Sequence, residues 1–202
     1  MRRFTETRLL VATHNAGKLD EMRALLEPFG VTVVGAAEAG LAEPAETEDS
    51  FAGNARIKAA AAVAATGLPA LADDSGICVD ALDGAPGVHT ADWAETGQGR
   101  DFGLAMRRLW DRLQATGSPA PHRAQFCCTL VLMWPDGHEE MFEGILPGQV
   151  IWPARGADGH GYDPIFQPDG HDQTLAEMTA AQKNSLSHRA LAVSRLVKAC
   201  FA

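Results

Sequence analysis

With 202 residues, 46% of them hydrophobic and 21% charged, the chain has the make-up of an ordinary folded protein, and that length can bury about 70% of the unfolded surface without disulfide or metal staples. The formal net charge of −9 argues against a general nucleic-acid coat or an anionic membrane as partner, and admits an anionic ligand only where lysines and arginines converge on one pocket. No apolar stretch approaches the roughly 20 residues of a membrane span.

In chain order, "MRRF" is basic but is followed by "TETR", where a secretory leader would carry an apolar core. A cytoplasmic protein is expected, a single domain over residues 1–202 with 1–7 as a flexible extension. Arg8 to Ala12 reads as a buried strand. Ala16 to Phe29 reads as a helix, with Leu19, Met22, Leu25 and Leu26 at helical spacing and Gly30 closing it. "VTVVG" is a second strand. After the acidic "AEPAETEDS", Asp49 or Ser50 is placed to cap an alanine-rich helix, "FAGNARIKAAAAVAATG", that ends at Gly67. So much alanine implies close packing against another element.

"PALADDSGICVDAL" reads as a strand interrupted by Asp-Asp-Ser-Gly, and "DGAPGVHTADW" as a loop. Asp101 to Ala115 is an amphipathic helix. "AQFCCTLVLMW" and "EEMFEGILPGQVI" form a hairpin turning at "PDGH". "PARGADGHGYDPIF" is a glycine-rich loop and "SHRALAVSRLVKAC" a terminal helix. Strands alternate with helices early and pair as a hairpin late, which predicts an α/β domain with a mixed sheet. The four cysteines (Cys78, Cys127, Cys128, Cys200) lack metal-type pairing. Cys127 and Cys128, adjacent in a strand, are expected on opposite faces as small thiols.

The first candidate site is "THNAGKLDE", between a strand and a helix. Gly17-Lys18 has the look of a Walker phosphate loop, but that pattern requires glycine at position 12 and a hydroxyl at position 19, where this chain has Ala12 and Leu19. What is left is a polar turn (Thr13, His14, Asn15) and a helix N-terminus whose free N–H groups attract anions, with Lys18 adding a charge. The alternative is an ordinary turn with a solvated lysine.

Carboxylates supply the second candidate. Glu46, Glu48 and Asp49 precede a helix, where the helix dipole alone favours them. Asn54 and Lys58 are four apart and share a helix face. Asp73 and Asp74 fall within an apolar strand, where unpaired buried carboxylates would be very costly. Either they lie in an exposed turn begun by Ser75-Gly76, or they meet a cation, and hard oxygen ligands suit magnesium. The third candidate is "GHGYDPIF" with "EMTAAQKNSLSHRA": His160, Tyr162, Asp163, Lys183, His188 and Arg189. A His-Arg pair in a first helical turn opposes the helix dipole, and a hydrogen-bonding ligand would account for it.

Taken together and in this order, "ATHNAGKLDEMRALL", "ETEDSFAGNARIKA", "LADDSGICVDALDGAPGV", "GHGYDPIF" and "AEMTAAQKNSLSHRA" resemble the inosine triphosphate pyrophosphatase family, from about Leu9 to Ala192. The resemblance implies an α/β fold, a long mixed β-sheet with flanking helices forming two lobes around a central cleft. It implies hydrolysis of deaminated purine nucleoside triphosphates (dITP, ITP, XTP) to the monophosphate and pyrophosphate, with Mg2+, in a homodimer. By the same resemblance the turn Thr13, His14, Asn15, Ala16, Gly17, Lys18 grips the triphosphate and Lys58 lies near the phosphates. Glu46 and Asp74 belong to the magnesium site, with Asp73 a further candidate and Ser75 beside it; Asp74 is also the proton acceptor. His160, Gly161, Tyr162, Asp163, Lys183, His188 and Arg189 match the base-recognition group.

Two departures stand out. The family usually has phenylalanine, placed to stack on the base, where this chain has His160, whose ring can also stack. After "GAPGV" the family continues tyrosine, serine, alanine, arginine; here the residues are His89, Thr90, Ala91 and Asp92, and the reversed charge at Asp92 carries no site role. The rival readings are a pyrophosphatase for other modified nucleoside triphosphates and a non-catalytic nucleotide-binding sensor.

Overall fold

The computed structural model describes residues 1–202, the side chain of Glu21 excepted. A six-stranded sheet has the order β2-β1-β3-β6-β7-β8: β1 (Arg8–Val11), β2 (Thr32–Gly35), β3 (Ala70–Val79), β6 (His122–Met133), β7 (Glu139–Val150) and β8 (Phe166–Pro168). A small antiparallel pair, β4 (Glu95–Thr96) and β5 (Gly99–Arg100), stands apart from it. The helices are α1 (Ala16–Leu26), α2 (Phe51–Thr66), α3 (Phe102–Ala115), α4 (Ala180–Leu186) and α5 (His188–Leu196). The sheet is mixed, as expected: β1 runs parallel to β2 and β3, while β8 is antiparallel to β7. Among the described residues no helix is long and apolar enough to cross a membrane.

The chain divides into two compact units, one of Met1–Asp74, Thr129–Glu143 and Ala192–Ala202, the other of Ser75–Cys128 and Gly144–Leu191. In the first, the alanines of α2 do what their small size allows. Ala55 and Ala59 pack on Ala72 of β3 and Val131 of β6, and Ala62 packs on Leu10 of β1 and Ala70 of β3. A helix with no side chain beyond Cβ on that row lies close to the strands, which brings its polar neighbours close as well. Ser50, not Asp49, caps α2, accepting from the Gly53 N–H at 3.1 Å, and Gly67 ends it with φ 66°. In the second unit, α3 buries Ala105, Leu109 and Leu113 at a spacing of four, against a core that includes Ile77, Phe126, Tyr162 and Phe166.

Three expected elements are corrected. The helix predicted from Ala16 to Phe29 ends at Leu26, and Glu27–Phe29, which includes Pro28, forms a separate 3-10 turn closed by Gly30 at φ 71°. The strand β3 is not interrupted: residues 70–79 are extended throughout, Asp-Asp-Ser-Gly included. The tail predicted as one terminal helix is preceded by a separate α4, with a Thr179/Gln182 capping box that ends before Ser187. The hairpin closes where the sequence placed it, with the Trp134 N–H donating to the His138 carbonyl at 2.9 Å. Cys127 is half-buried and Cys128 buried, as alternation requires.

Residues 1–7, expected as a flexible extension, pack against the rest of the first unit. Their exposure alternates with a period of two; the inward Phe4 meets Phe201 at 4.9 Å and Trp134 at 6.2 Å, and its N–H donates to the Cys200 carbonyl at 2.8 Å. Arg2 lies over Trp134, its guanidinium pairs with Asp136 at 2.6 Å, and its backbone N–H donates to Glu140 at 2.7 Å. Burial pushes the Glu140 carboxyl up, but the His138 ring and the Arg2 N–H outweigh it and hold its pKa below the ordinary value. A carboxylate held low contributes stability above its unfolded pKa and loses it as pH falls through the folded one. Phe4→Ala is expected to cost about 1–2 kcal/mol and to lower Tm by about 2–8 °C in calorimetry. Deleting residues 1–6 should cost more at neutral pH than in acid, where the Glu140 contribution has gone.

Candidate active site

The register of the parallel strands creates the first part of the site. β1 ends opposite Leu71, since Leu10 pairs with Ala70 and Val11 with Leu71. Asp73 and Asp74 therefore extend past the carboxyl end of β1. There the chain leaves toward β2 on one side and returns to β3 on the other, the kind of switch point at which open α/β sheets bind ligands. Thr13 to Lys18 form the turn at that end. Asn15 caps α1 by accepting from the Lys18 N–H at 3.1 Å, and the Asn15 N–H in turn donates to Thr13 Oγ1 at 3.2 Å. His14, Ala16 and Gly17 are exposed. A cavity of about 150 Å³ beside β1 is lined by Ala12, His14, Ala36, Leu41 and Lys58 among others.

The continuity of β3 settles the choice posed by Asp-Asp-Ser-Gly: there is no exposed turn, and the carboxylates meet cations. Successive side chains of a strand point to opposite faces, so Asp73 and Asp74 diverge. Asp73 accepts from Lys18 Nζ of α1 at 2.6 Å. Asp74, 7% exposed, accepts from Asn54 Nδ2 of α2 at 3.2 Å and lies 3.8 Å from Lys58 Nζ. Lys58, also buried, donates to Glu46 Oε1 at 2.5 Å. Burial would lower the Lys58 pKa; the Glu46 hydrogen bond and the charges of Asp74, Asp73 and Glu46 more than offset this, and it is raised above its ordinary value. Ser75 follows Asp74 in β3, half-buried.

These residues also fit a magnesium ion. Glu46 and Asp74 both direct a hard oxygen at one point, the Lys58 ammonium, so their carboxylates already share a cation. Among the described residues no three His, Cys, Asp or Glu side chains are grouped to cage a metal by themselves. A pair of carboxylates is what magnesium uses, since it binds through one or two of them and completes its shell with water and substrate phosphates.

A second cluster lies in the other unit. Gly159 and Gly161, at φ 104° and 65°, flank the exposed His160. A Cβ on Gly159 would lie 2.6 Å from the Asp163 carboxylate, so the loop tolerates no side chain there. Asp163 Oδ2 accepts from the His160 N–H at 2.8 Å and from Lys183 Nζ of α4. Tyr162 is buried, its ring edge-on to Phe102 and its hydroxyl donating to the Thr90 carbonyl at 3.2 Å; burial pushes that phenol up. With its side chain committed to the core, Tyr162 has only backbone to offer a ligand. His188 and Arg189 open α5, and the His188 ring stacks on Phe126 at 5.0 Å.

The structure thus joins Lys18 to Asp73, Lys58 to Glu46 and Asp74, and His160 and Lys183 to Asp163. It adds residues that sequence reasoning had not placed in a site. Asn54 is 2% exposed and ties the Glu48 N–H to Asp74; its spacing of four from Lys58 was the available clue. Thr90 Oγ1 accepts from the Ile77 N–H while its carbonyl takes the Tyr162 hydroxyl. Nothing local in the sequence marks that link. Asp92, the reversed charge, pairs at the surface with His89 at 2.8 Å.

Residues 9–199 match the Ham1 family model. A dITP/XTP pyrophosphatase of Ruegeria pomeroyi is 66% identical, over 99% of this chain and 98% of its own. One of Zymomonas mobilis is 53% identical, over 98% and 94%. Among solved structures, a HAM1 protein from Coxiella burnetii aligns with a TM-score of 0.90 at 33% identity, covering 96% of this chain and 98% of that one. A nucleoside-triphosphatase (dITP/XTP pyrophosphatase) from Mycobacterium abscessus aligns with a TM-score of 0.80 at 38% identity, covering 94% and 97%. With a family model and relatives that match it nearly end to end, the chain belongs to the Ham1 family.

Proposed function

We infer that this chain hydrolyses deaminated purine nucleoside triphosphates, dITP, ITP and XTP, to the nucleoside monophosphate and pyrophosphate. The observation that carries the reading is the likeness, over almost the entire chain, to dITP/XTP pyrophosphatases. The lysine–carboxylate cluster at the end of β1 supplies the chemistry such a reaction needs. We assign the triphosphate to the Thr13–Lys18 turn and Lys58, and the base to His160, Gly161, Tyr162, Asp163, Lys183, His188 and Arg189. Glu46 and Asp74, with Asp73 as a further candidate, would hold Mg2+. Bound there, the ion supplies positive charge against the phosphates.

The chain's own groups do the rest. Asp74, oriented by the Asn54 amide, accepts a proton from water as the water oxygen bonds to the α-phosphorus. The bond from that phosphorus to the bridging oxygen breaks, and pyrophosphate leaves. Lys18 and Lys58 stabilise the charge that builds on the phosphate oxygens; preorganised electrostatic help of this kind usually contributes most to the rate of such reactions. Selectivity against adenine rests on the C6 oxygen of hypoxanthine and xanthine, an acceptor where adenine has a donor. A donor from Arg189 or a backbone N–H facing it would be left unpaired by adenine, at a cost of about 1–3 kcal/mol, roughly 5- to 150-fold. Guanine shares that oxygen, so its exclusion involves its 2-amino group. The same reading takes the protein as a cytoplasmic homodimer that does not bind nucleic acid. The net charge of −9 supports the last point, and sedimentation of the purified protein tests the dimer.

Pyrophosphate release from dITP, XTP, dGTP, dATP and dUTP, with and without Mg2+, tests the activity. A magnesium-dependent preference for dITP and XTP is expected; a preference for dUTP would favour the other modified-nucleotide reading, and binding without turnover a sensor. Asp74→Asn should lower kcat on dITP by about 10²-fold or more, the usual worth of a positioned base, and near-normal turnover removes Asp74 from that role. For His160, replacement by phenylalanine should keep activity while His160→Ala raises KM for ITP about five- to tenfold, as lost stacking would; an unchanged KM in the alanine variant refutes the stacking role.

A further inference from the structure

Every cation assigned to the triphosphate is, in this structure, seated on a carboxylate assigned to the metal. Lys18 holds Asp73 at 2.6 Å; Lys58 holds Glu46 at 2.5 Å and stands 3.8 Å from Asp74. We propose that Lys18 and Lys58 are resident counter-ions of the metal-holding carboxylates, and that triphosphate and divalent cation bind with positive coupling because each releases the partner the other needs. The proposal rests on the functional reading above and adds to it a coupling between the two ligands.

The charge balance supports the coupling. Lys58 faces two carboxylates, Glu46 and Asp74, and Lys18 faces Asp73, while Asp74 and Lys58 are both buried. A triphosphate arriving alone meets lysines already paired with carboxylates. A divalent cation arriving alone must displace the Lys58 ammonium from Glu46 and Asp74, or bind beside it against its repulsion. When both arrive, the carboxylates pass to the metal and the lysines to the phosphates. No charge is then left buried without a partner, a state that is strongly destabilising. Linkage requires the effect to be reciprocal: whatever factor the phosphates add to metal affinity, the metal adds to phosphate affinity. The geometry suits the exchange. Lys58 sits on a helix packed against the strands through Ala55, Ala59 and Ala62, and its long stem can redirect the ammonium by rotamer change alone. Asn54 keeps Asp74 oriented whichever cation is present.

The test is Mn2+ binding to the full chain in the absence of nucleotide, followed by electron paramagnetic resonance. Lys58→Gln should bind Mn2+ about tenfold tighter than the parent, within the usual 5- to 150-fold range of coupling between sites, and Lys18→Gln should gain less, because it frees Asp73 alone. Arg56→Gln removes a nearby cation that pairs instead with Glu139 at 2.6 Å and should change affinity less than twofold, which separates a specific counter-ion from a general change in charge. Adding Asp74→Asn to Lys58→Gln should abolish the gain. The proposal is overturned if Lys58→Gln, folded by circular dichroism, binds Mn2+ no tighter than the parent, or if Arg56→Gln gains as much. Should Lys58→Gln not fold, the same comparison on Lys18→Gln decides. Magnesium-dependent turnover of dITP by the parent, with no gain in any lysine variant, sinks the counter-ion role and leaves the function standing. No metal-dependent turnover and no Mn2+ bound to any variant sinks both.

Discussion

Two adjacent carboxylates in the middle of a buried strand are tenable because a β-strand turns consecutive side chains to opposite faces. Asp73 and Asp74 turn to opposite faces of β3, so that each takes a lysine as counter-ion. Each faces its own helix, and each helix delivers a lysine. The remaining features of the first unit serve that arrangement. Asn15 caps α1 so that Lys18 stands in its first turn, and the alanine row of α2 brings Lys58 and Asn54 close enough to reach β3. β1 stops two residues short of Asp73, which leaves its carboxyl end open.

The second unit uses a different device. His160 is exposed, yet its backbone is held between two glycines in the left-handed region and by the Asp163 carboxylate that also takes Lys183. One buried acid thus holds both the backbone of His160 and the Lys183 ammonium before any ligand arrives. The ordering cost is met in folding, which leaves more of the contact energy for binding. Tyr162 contributes to this from beneath, as part of the core, through its ring on Phe102 and its hydroxyl on Thr90.

The departures from the family pattern fall where the local physics tolerates them. His160 replaces phenylalanine at a solvent-facing position, where imidazole keeps a flat face and gains a polar edge at little desolvation cost. Asp92 replaces arginine at the surface, and the His89 that precedes it by three residues gives it a partner. Neither change disturbs the ion pairs at the end of β1.

Much of this was legible in the sequence, because the features concerned are local. The 3.6 and 2.0 periodicities, a cap at Asp49 or Ser50, Gly67 and the "PDGH" turn identify elements from a few neighbouring residues, and the motif order alone pointed to the family fold. The spacing of Asn54 and Lys58 even placed them on one helix face. Other features were decided only when distant segments met. "DDSG" has turn chemistry, and it stays extended because Lys18 and Lys58, 55 and 16 residues earlier in the chain, neutralise its carboxylates. Residues 1–7 look like a loose end until Phe201 and Trp134 cover Phe4. Local sequence sets which conformations are cheap; charge neutralisation and apolar burial across the fold determine which of them is kept.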